Sequence, residues 1–117
     1  PVLIILLFGV WEMGRIFDAW LVVTNAAREG ARYAAEIPDD SVVRDRVQHY
    51  IKEGYAGRLG LAGDIDPTAV NIDIDRPSNS GPVTVTVDVE VDVYAPLEGI
   101  PLLRYPFTVH GFAVMRQ

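Results

Sequence analysis

Cysteine is absent from the chain. That excludes disulfides, a thiol nucleophile and thiolate metal ligation. Histidine is scarce, with His49 and His110 the only two. A metal site would need both of them together with acids, so we read them as surface or partly satisfied histidines. Basic residues are outnumbered, and the formal net charge is −6. An acidic chain repels nucleic-acid phosphates and anionic lipid headgroups, and no cluster of Lys and Arg offsets this. No Gly-rich phosphate loop, zinc-ligand spacing or Ser/His/Asp arrangement is visible. The expectation is a chain that is not an enzyme, with no cofactor, no metal, no nucleic acid and no small-molecule substrate.

Charge is also missing from one particular stretch. Residues 2–11 read VLIILLFGVW, without a single charge. As a helix that run covers about 15 Å, roughly half of a bilayer core. Continuing it to full thickness takes in Glu12, Arg15 and Asp18. Each such charge near a bilayer centre costs on the order of 2.5–3.5 kcal/mol. The segment is therefore a poor free-standing span. It is also unlike a secretory signal peptide, because no basic stretch precedes it and no small-x-small site closes it. Two readings remain: the outer part of a spanning helix, or a helix that packs against copies of itself.

Proline is absent from residues 2–37, and alanine is frequent there. One helix of roughly 54 Å is predicted, ending at Pro38 because the residue before a proline avoids the helical region. Glu12, Arg15 and Asp18 follow one another at intervals of three and form an alternating-charge string on one face. Small residues (Gly9, Gly14, Ala19, Ala26, Ala27, Gly30, Ala31, Ala34 and Ala35) would let another helix approach closely. The expected assembly interface is Val2, Leu3, Ile4, Ile5, Leu6, Leu7, Phe8, Gly9, Val10 and Trp11, followed by Glu12, Gly14, Arg15 and Asp18. Glu12 and Arg15 are expected to pair, within a chain or between neighbours, since an unpaired charge in a dry core is expensive.

The remaining residues, 38–117, read as a small acidic α/β head. Asp39, Asp40 and Ser41 are candidate caps for a second helix. Its apolar face is Val43, Val47, Tyr50 and Ile51, and Gly54, Gly57, Gly60 and Gly63 are expected to end it. Residues 71–75 alternate polar and apolar. In residues 82–94 the alternation is nearly perfect: Val83, Val85, Val87, Val89, Val91 and Val93 lie to one side, and Thr84, Thr86, Asp88, Glu90, Asp92 and Tyr94 to the other. A last strand is expected from about Tyr105 to Met115. Asp73, Asp75, Asp88, Glu90 and Asp92 read as solubilising acids facing Arg76, Arg104 or Arg116, with calcium ligation as the alternative. The fold class is α+β: a long N-terminal helix and a short helix packed on an antiparallel sheet of about three strands. The division along the chain is 1–37 for the helix and 38–117 for the head.

Two stretches carry a family resemblance. Residues 6–35, LLFGVWEMGRIFDAWLVVTNAAREGARYAA, resemble the signature of TadE-like proteins, the pilin-like proteins of tight-adherence pilus systems. Glu12-Met13-Gly14-Arg15 resembles that family's E-F-G-R element. Asn25, Ala26, Ala27, Arg28, Glu29, Gly30, Ala31 and Arg32 resemble its N-A-A-R-E-G-A-R element. The tail at 107–116, FTVHGFAVMR, is similar to the family's last strand. Pilin-like proteins usually keep a glutamate close to the start of the mature chain, and residues 2–11 hold none. The resemblance implies a pilin-like fold, a precursor in the inner membrane that a prepilin-type peptidase cleaves, and export to the cell surface. It further implies a homopolymer, or an assembly with other pilins, forming an extracellular pilus or filament. The alternative is a minor pseudopilin, or a membrane-anchored extracytoplasmic binding module that takes part in pilus assembly.

Overall fold

The computed structural model describes residues 1–56, 70–77, 81–94 and 104–116; for 55, 56, 91–94 and 104–107 it describes the backbone alone. Helix α1 runs Val2–Glu36, and Ile37 stops it in an extended conformation with φ −116° and ψ 120°. Its N–H still closes onto the Tyr33 carbonyl at 2.8 Å, and Pro38 forbids a further turn. Helix α2 spans Asp40–Ala56. Strands β1 (Val70–Asp75), β2 (Pro82–Tyr94) and β3 (Arg104–Arg116) form an antiparallel sheet in the order β1-β2-β3. This is the α+β architecture expected from the sequence. The glycines at 57, 60 and 63 and most of the apolar loop at 95–104 lie outside the described residues.

The core follows from the alternation in β2. Val83, Val85, Val87 and Val89 are fully buried, while Thr84, Thr86, Asp88 and Glu90 point away. Val109 of β3 and Val70 and Ile72 of β1 join the same face. The second half of α1 lies across that face, contributing Ala19, Val23, Ala26, Ala27, Ala31 and Ala34. Helix α2 closes the side with Val43, Val47 and Ile51. Tyr50, expected on that face, instead sits at its rim and is 37% exposed. With about 100° per residue it lies roughly 20° from Val43, but on the side away from Val47 and Ile51, at the edge of the stripe.

The small residues of α1 act inside the chain. The sequence expectation is that they bring neighbouring helices together, but Ala19, Ala26, Ala27, Gly30, Ala31 and Ala34 are all buried within the chain itself. A side-chain carbon on Gly30 would lie 2.5 Å from Cγ2 of Val47 and 3.2 Å from Cγ1 of Val85. No room exists for one between the two elements that meet there. Gly111 of β3 is tighter in kind, because the obstacle is backbone: its Cβ would meet the Val23 carbonyl carbon and oxygen at 2.9 Å. Gly54 does not end α2, which continues to Ala56. It lets α2 pass Val22, whose Cγ1 would be 3.0 Å away. Of the expected close-approach positions, Gly9 and Gly14 face open space.

Three polar ties fix the corners. Asp39 caps α2, its Oδ1 accepting from the Ser41 amide at 2.9 Å and the Ser41 hydroxyl at 2.7 Å. Arg44 of α2 donates to the Ile72 carbonyl of β1 at 2.7 Å. Arg76 does not face the acids of the sheet, as the sequence suggested. It leaves the end of β1 beneath the α1–α2 corner, with Nε donating to Asp40 at 2.8 Å. Its two terminal nitrogens donate to the carbonyls of Ala34 at 2.6 Å and Ile37 at 2.9 Å. The last carbonyls of a helix lack partners within it, and they attract a cation.

Gly111→Ala is expected to destabilise the fold by about 1–3 kcal/mol, since backbone must shift to admit a methyl group. Gly9→Ala, in open space on a helix, is expected to be neutral or slightly stabilising. Urea denaturation of the two variants checks the contrast. A second expectation concerns acid. The Ser41 hydroxyl, then the Ser41 and Val42 amides, hold the Asp39 carboxyl below its ordinary value of 3.8. A carboxylate whose folded value is lowered stabilises the fold fully above its unfolded pKa, and that contribution fades as pH falls through the lowered value. Asp39→Ala therefore differs in stability from the parent at pH 6 and converges with it in strong acid. Parallel denaturation curves across pH test this.

Candidate assembly interface

Helix α1 outruns the head. Val2, Leu3, Ile4, Ile5, Leu6, Leu7 and Val10 are between 62 and 71% exposed. Gly9 is exposed as well, Trp11 is 43% exposed, and Phe8 is partly covered. Phe8 stacks obliquely on Trp11 with ring centroids 5.2 Å apart. The molecule measures 58 × 22 × 20 Å, and α1, at roughly 52 Å, accounts for the long axis. Soluble monomers rarely leave a contiguous apolar surface of this kind bare.

Glu12 begins the covered part of the helix. It is 7% exposed, the one buried charged residue among those described. Arg15 Nη1 donates to both of its carboxylate oxygens, at 2.9 and 3.1 Å. Each side chain of the pair is 9% exposed. The Arg15 guanidinium also lies over the Trp11 ring, 5.6 Å from its centroid. So the expected pairing of Glu12 and Arg15 is made within one chain, one helical turn apart. Asp18 is partly buried and engaged, and Gly14 is exposed. The two charges sit where the apolar rod meets the head, and a buried pair there defines which residues lie on either side.

The exposed apolar surface does not stop at Trp11. Met13 (67%), Phe17 (62%), Trp20 and Leu21 continue it down the side of α1 turned away from the core. The interface expected from the sequence takes in Glu12, Gly14, Arg15 and Asp18 but passes over Met13, Phe17, Trp20 and Leu21, which alternate with those residues along the chain. The helical period was the signal that separates them, since charges and apolar residues fall on different faces. Beyond Thr24 the outward residues become polar, with Asn25, Arg28 and Arg32 exposed. Within the N-A-A-R-E-G-A-R element, Ala26, Ala27, Gly30 and Ala31 are buried, Glu29 is partly buried, and Asn25, Arg28 and Arg32 look outward. That element joins helix to head.

On the outer sheet face the acids are dispersed by the strand register. Asp73 lies opposite Thr86, Asp75 opposite Thr84, and Asn71 opposite Asp88. Asp88 meets His110 across β2 and β3, Oδ1 to Nδ1 2.6 Å. His49 approaches Glu53 at 3.1 Å on α2. Among the described residues no group of three or more acids and histidines is placed to hold a metal ion. The side chain of Asp92 lies outside the description. Nor, among the described residues, is any helix long and apolar enough to cross a membrane. Helix α1 as it stands thus does not supply the transmembrane helix implied by a membrane-inserted precursor.

Residues 1–32 match the family model described as TadE-like protein. The matched residues take in the apolar rod, the Glu12–Arg15 pair and the whole N-A-A-R-E-G-A-R element; the tail at 107–116 lies outside them. No curated protein and no solved structure matches the chain.

Removing one member of the buried pair leaves the other uncompensated, so Arg15→Leu is expected to destabilise the chain by about 3 kcal/mol. The double variant Glu12→Leu/Arg15→Leu should recover most of that loss, because both desolvation terms vanish together. Chemical denaturation of the wild type, both single variants and the double variant measures the coupling.

Proposed function

We propose that this chain is a pilin-like structural subunit that assembles with copies of itself, or with other pilins, through the exposed apolar part of α1. The observation that carries the reading is the bare helix surface from Val2 to Leu21, on a chain whose own head covers only the second half of that helix. Burying apolar surface contributes about 25 cal/mol per Å², so contact between such helices is strongly favoured in water. The TadE-like match associates the chain with tight-adherence pili and the cell surface. In this reading the precursor is held at the inner membrane, the assembled product is extracellular, and the chain has no catalytic role. The acidic outer sheet face would then look to solvent, where like charge keeps heads apart and soluble.

Glu12 and Arg15 lie within the length of the contact region, beside its exposed apolar side, and help to set its register. Charge reversal by Arg15→Glu places two carboxylates one turn apart in a poorly hydrated site and is expected to abolish assembly. Electron microscopy and sedimentation of purified wild-type and variant chains, together with surface-sheared material from producing cells, test this. Normal filaments from the Arg15→Glu protein would remove the role given to the pair. A wild-type chain confined to the membrane fraction as a monomer would favour the minor pseudopilin or anchored binding module instead.

A further inference from the structure

The exposed side of α1 has an order beyond being apolar. Leu3, Leu6, Val10, Met13, Phe17 and Trp20 follow one another at alternating steps of three and four residues. All six are exposed, the least of them, Trp20, by 44%. Steps of three and four are the spacing of a heptad seam, in which each side chain inserts between side chains of a facing helix. Every other heptad register along residues 2–21 meets Gly9, Gly14, Glu12, Arg15 or Asp18. Only this line is built throughout of large apolar residues. Ala19, Val23, Ala26 and Gly30, on another side of the helix, are committed to the head.

The seam ends against a wall. At its last turn Phe17 and Trp20, with Ile16, face Thr108, Val109 and His110 of β3 across a groove of about 410 Å³. Below it the same side of α1 turns polar at Asn25 and Arg28. A second helix lying on the seam would thus be apolar along its length and stop at the head.

Resting on the assembly reading above, we propose that the occupant of this seam is α1 of a second copy, packed as a left-handed coiled coil with one end in the groove between α1 and β3. The chemistry fits itself. Residues 2–11 of the incoming helix carry no charge, so none has to be desolvated on seating. The 3.5-residue period keeps two such stripes in contact at a crossing angle of about 20°. A bilayer is a poorer occupant of the seam as a whole, because Glu12, Arg15 and Asp18 lie on the same stretch of helix and charges are costly in lipid.

The test uses the full chain and two triple variants of similar apolar loss. One removes seam residues, Leu3→Gln/Leu6→Gln/Val10→Gln. The other removes equally exposed neighbours off the seam, Ile4→Gln/Ile5→Gln/Leu7→Gln. All six positions lie outside the core, so the head folds in both. Sedimentation against concentration should show the seam variant needing at least about tenfold more protein to assemble, with the off-seam variant much closer to wild type. Thr108→Trp, which fills the groove, should weaken assembly in the same direction. Equal loss in both triple variants would overturn the seam while leaving assembly through α1 intact. A wild-type chain that stays monomeric at every concentration would overturn assembly itself, and the seam with it. Should the seam variant assemble normally and lose only its flotation with phosphatidylglycerol vesicles, the occupant is a bilayer and the proposal fails.

Discussion

The structure depends on how closely one helix can approach a sheet. Alanine and glycine on the inner side of α1 bring its backbone down onto Val85 and Gly111, near enough that a single added carbon at Gly30 or Gly111 has nowhere to go. Close approach lets a three-stranded sheet, too small to hold a thick core, bury four valines of β2 completely. The packing is thin but dense, and interiors of this kind are sensitive to one methyl group. The helix thereby becomes part of the head over its second half while remaining free over its first.

That division assigns different chemistry to two sides of the same element. The inner side is small and serves contact within the chain. The outer side of the first half is large and apolar, with leucine, valine, phenylalanine and tryptophan, and it finds nothing to cover it in the monomer. Large exposed side chains carry the greater hydrophobic driving force, whereas small ones carry little and permit proximity. A subunit that must be stable alone and adhesive to others is served by this separation. The Glu12–Arg15 pair sits where one regime gives way to the other. A half-neutralised pair would be costly there, which ties the position of the charges to the position of the head.

The polar ties have a related logic. A helix that ends abruptly at a proline leaves carbonyls without partners, and Arg76 arrives from β1 to take two of them while also holding Asp40 of α2. One side chain thus joins the sheet, the end of α1 and the start of α2. Asp39 secures the same corner from the other side. The angle between the helices is fixed by these few bonds and by the valines of α2 beneath them.

Much of this was written locally in the chain. The proline-free stretch to residue 37 determined a single long helix, because nothing within it breaks the hydrogen-bond ladder. The alternation at residues 82–90 determined which side of β2 is core, because successive side chains of a strand point to opposite faces. The charge-free run at 2–11 marked a surface that water disfavours. What only the tertiary structure decided was which partner each residue serves. The small residues of α1 could as well have met another subunit, and their burial against Val47 and Val85 depends on where α2 and β2 come to lie. Arg76 was drawn to carbonyls forty residues earlier rather than to acids on its own sheet. The extent of the bare surface, down to Leu21, followed from where the head stops covering the helix. Periodicity is a property of neighbours along the chain, whereas contact across the fold depends on distances that no single segment contains.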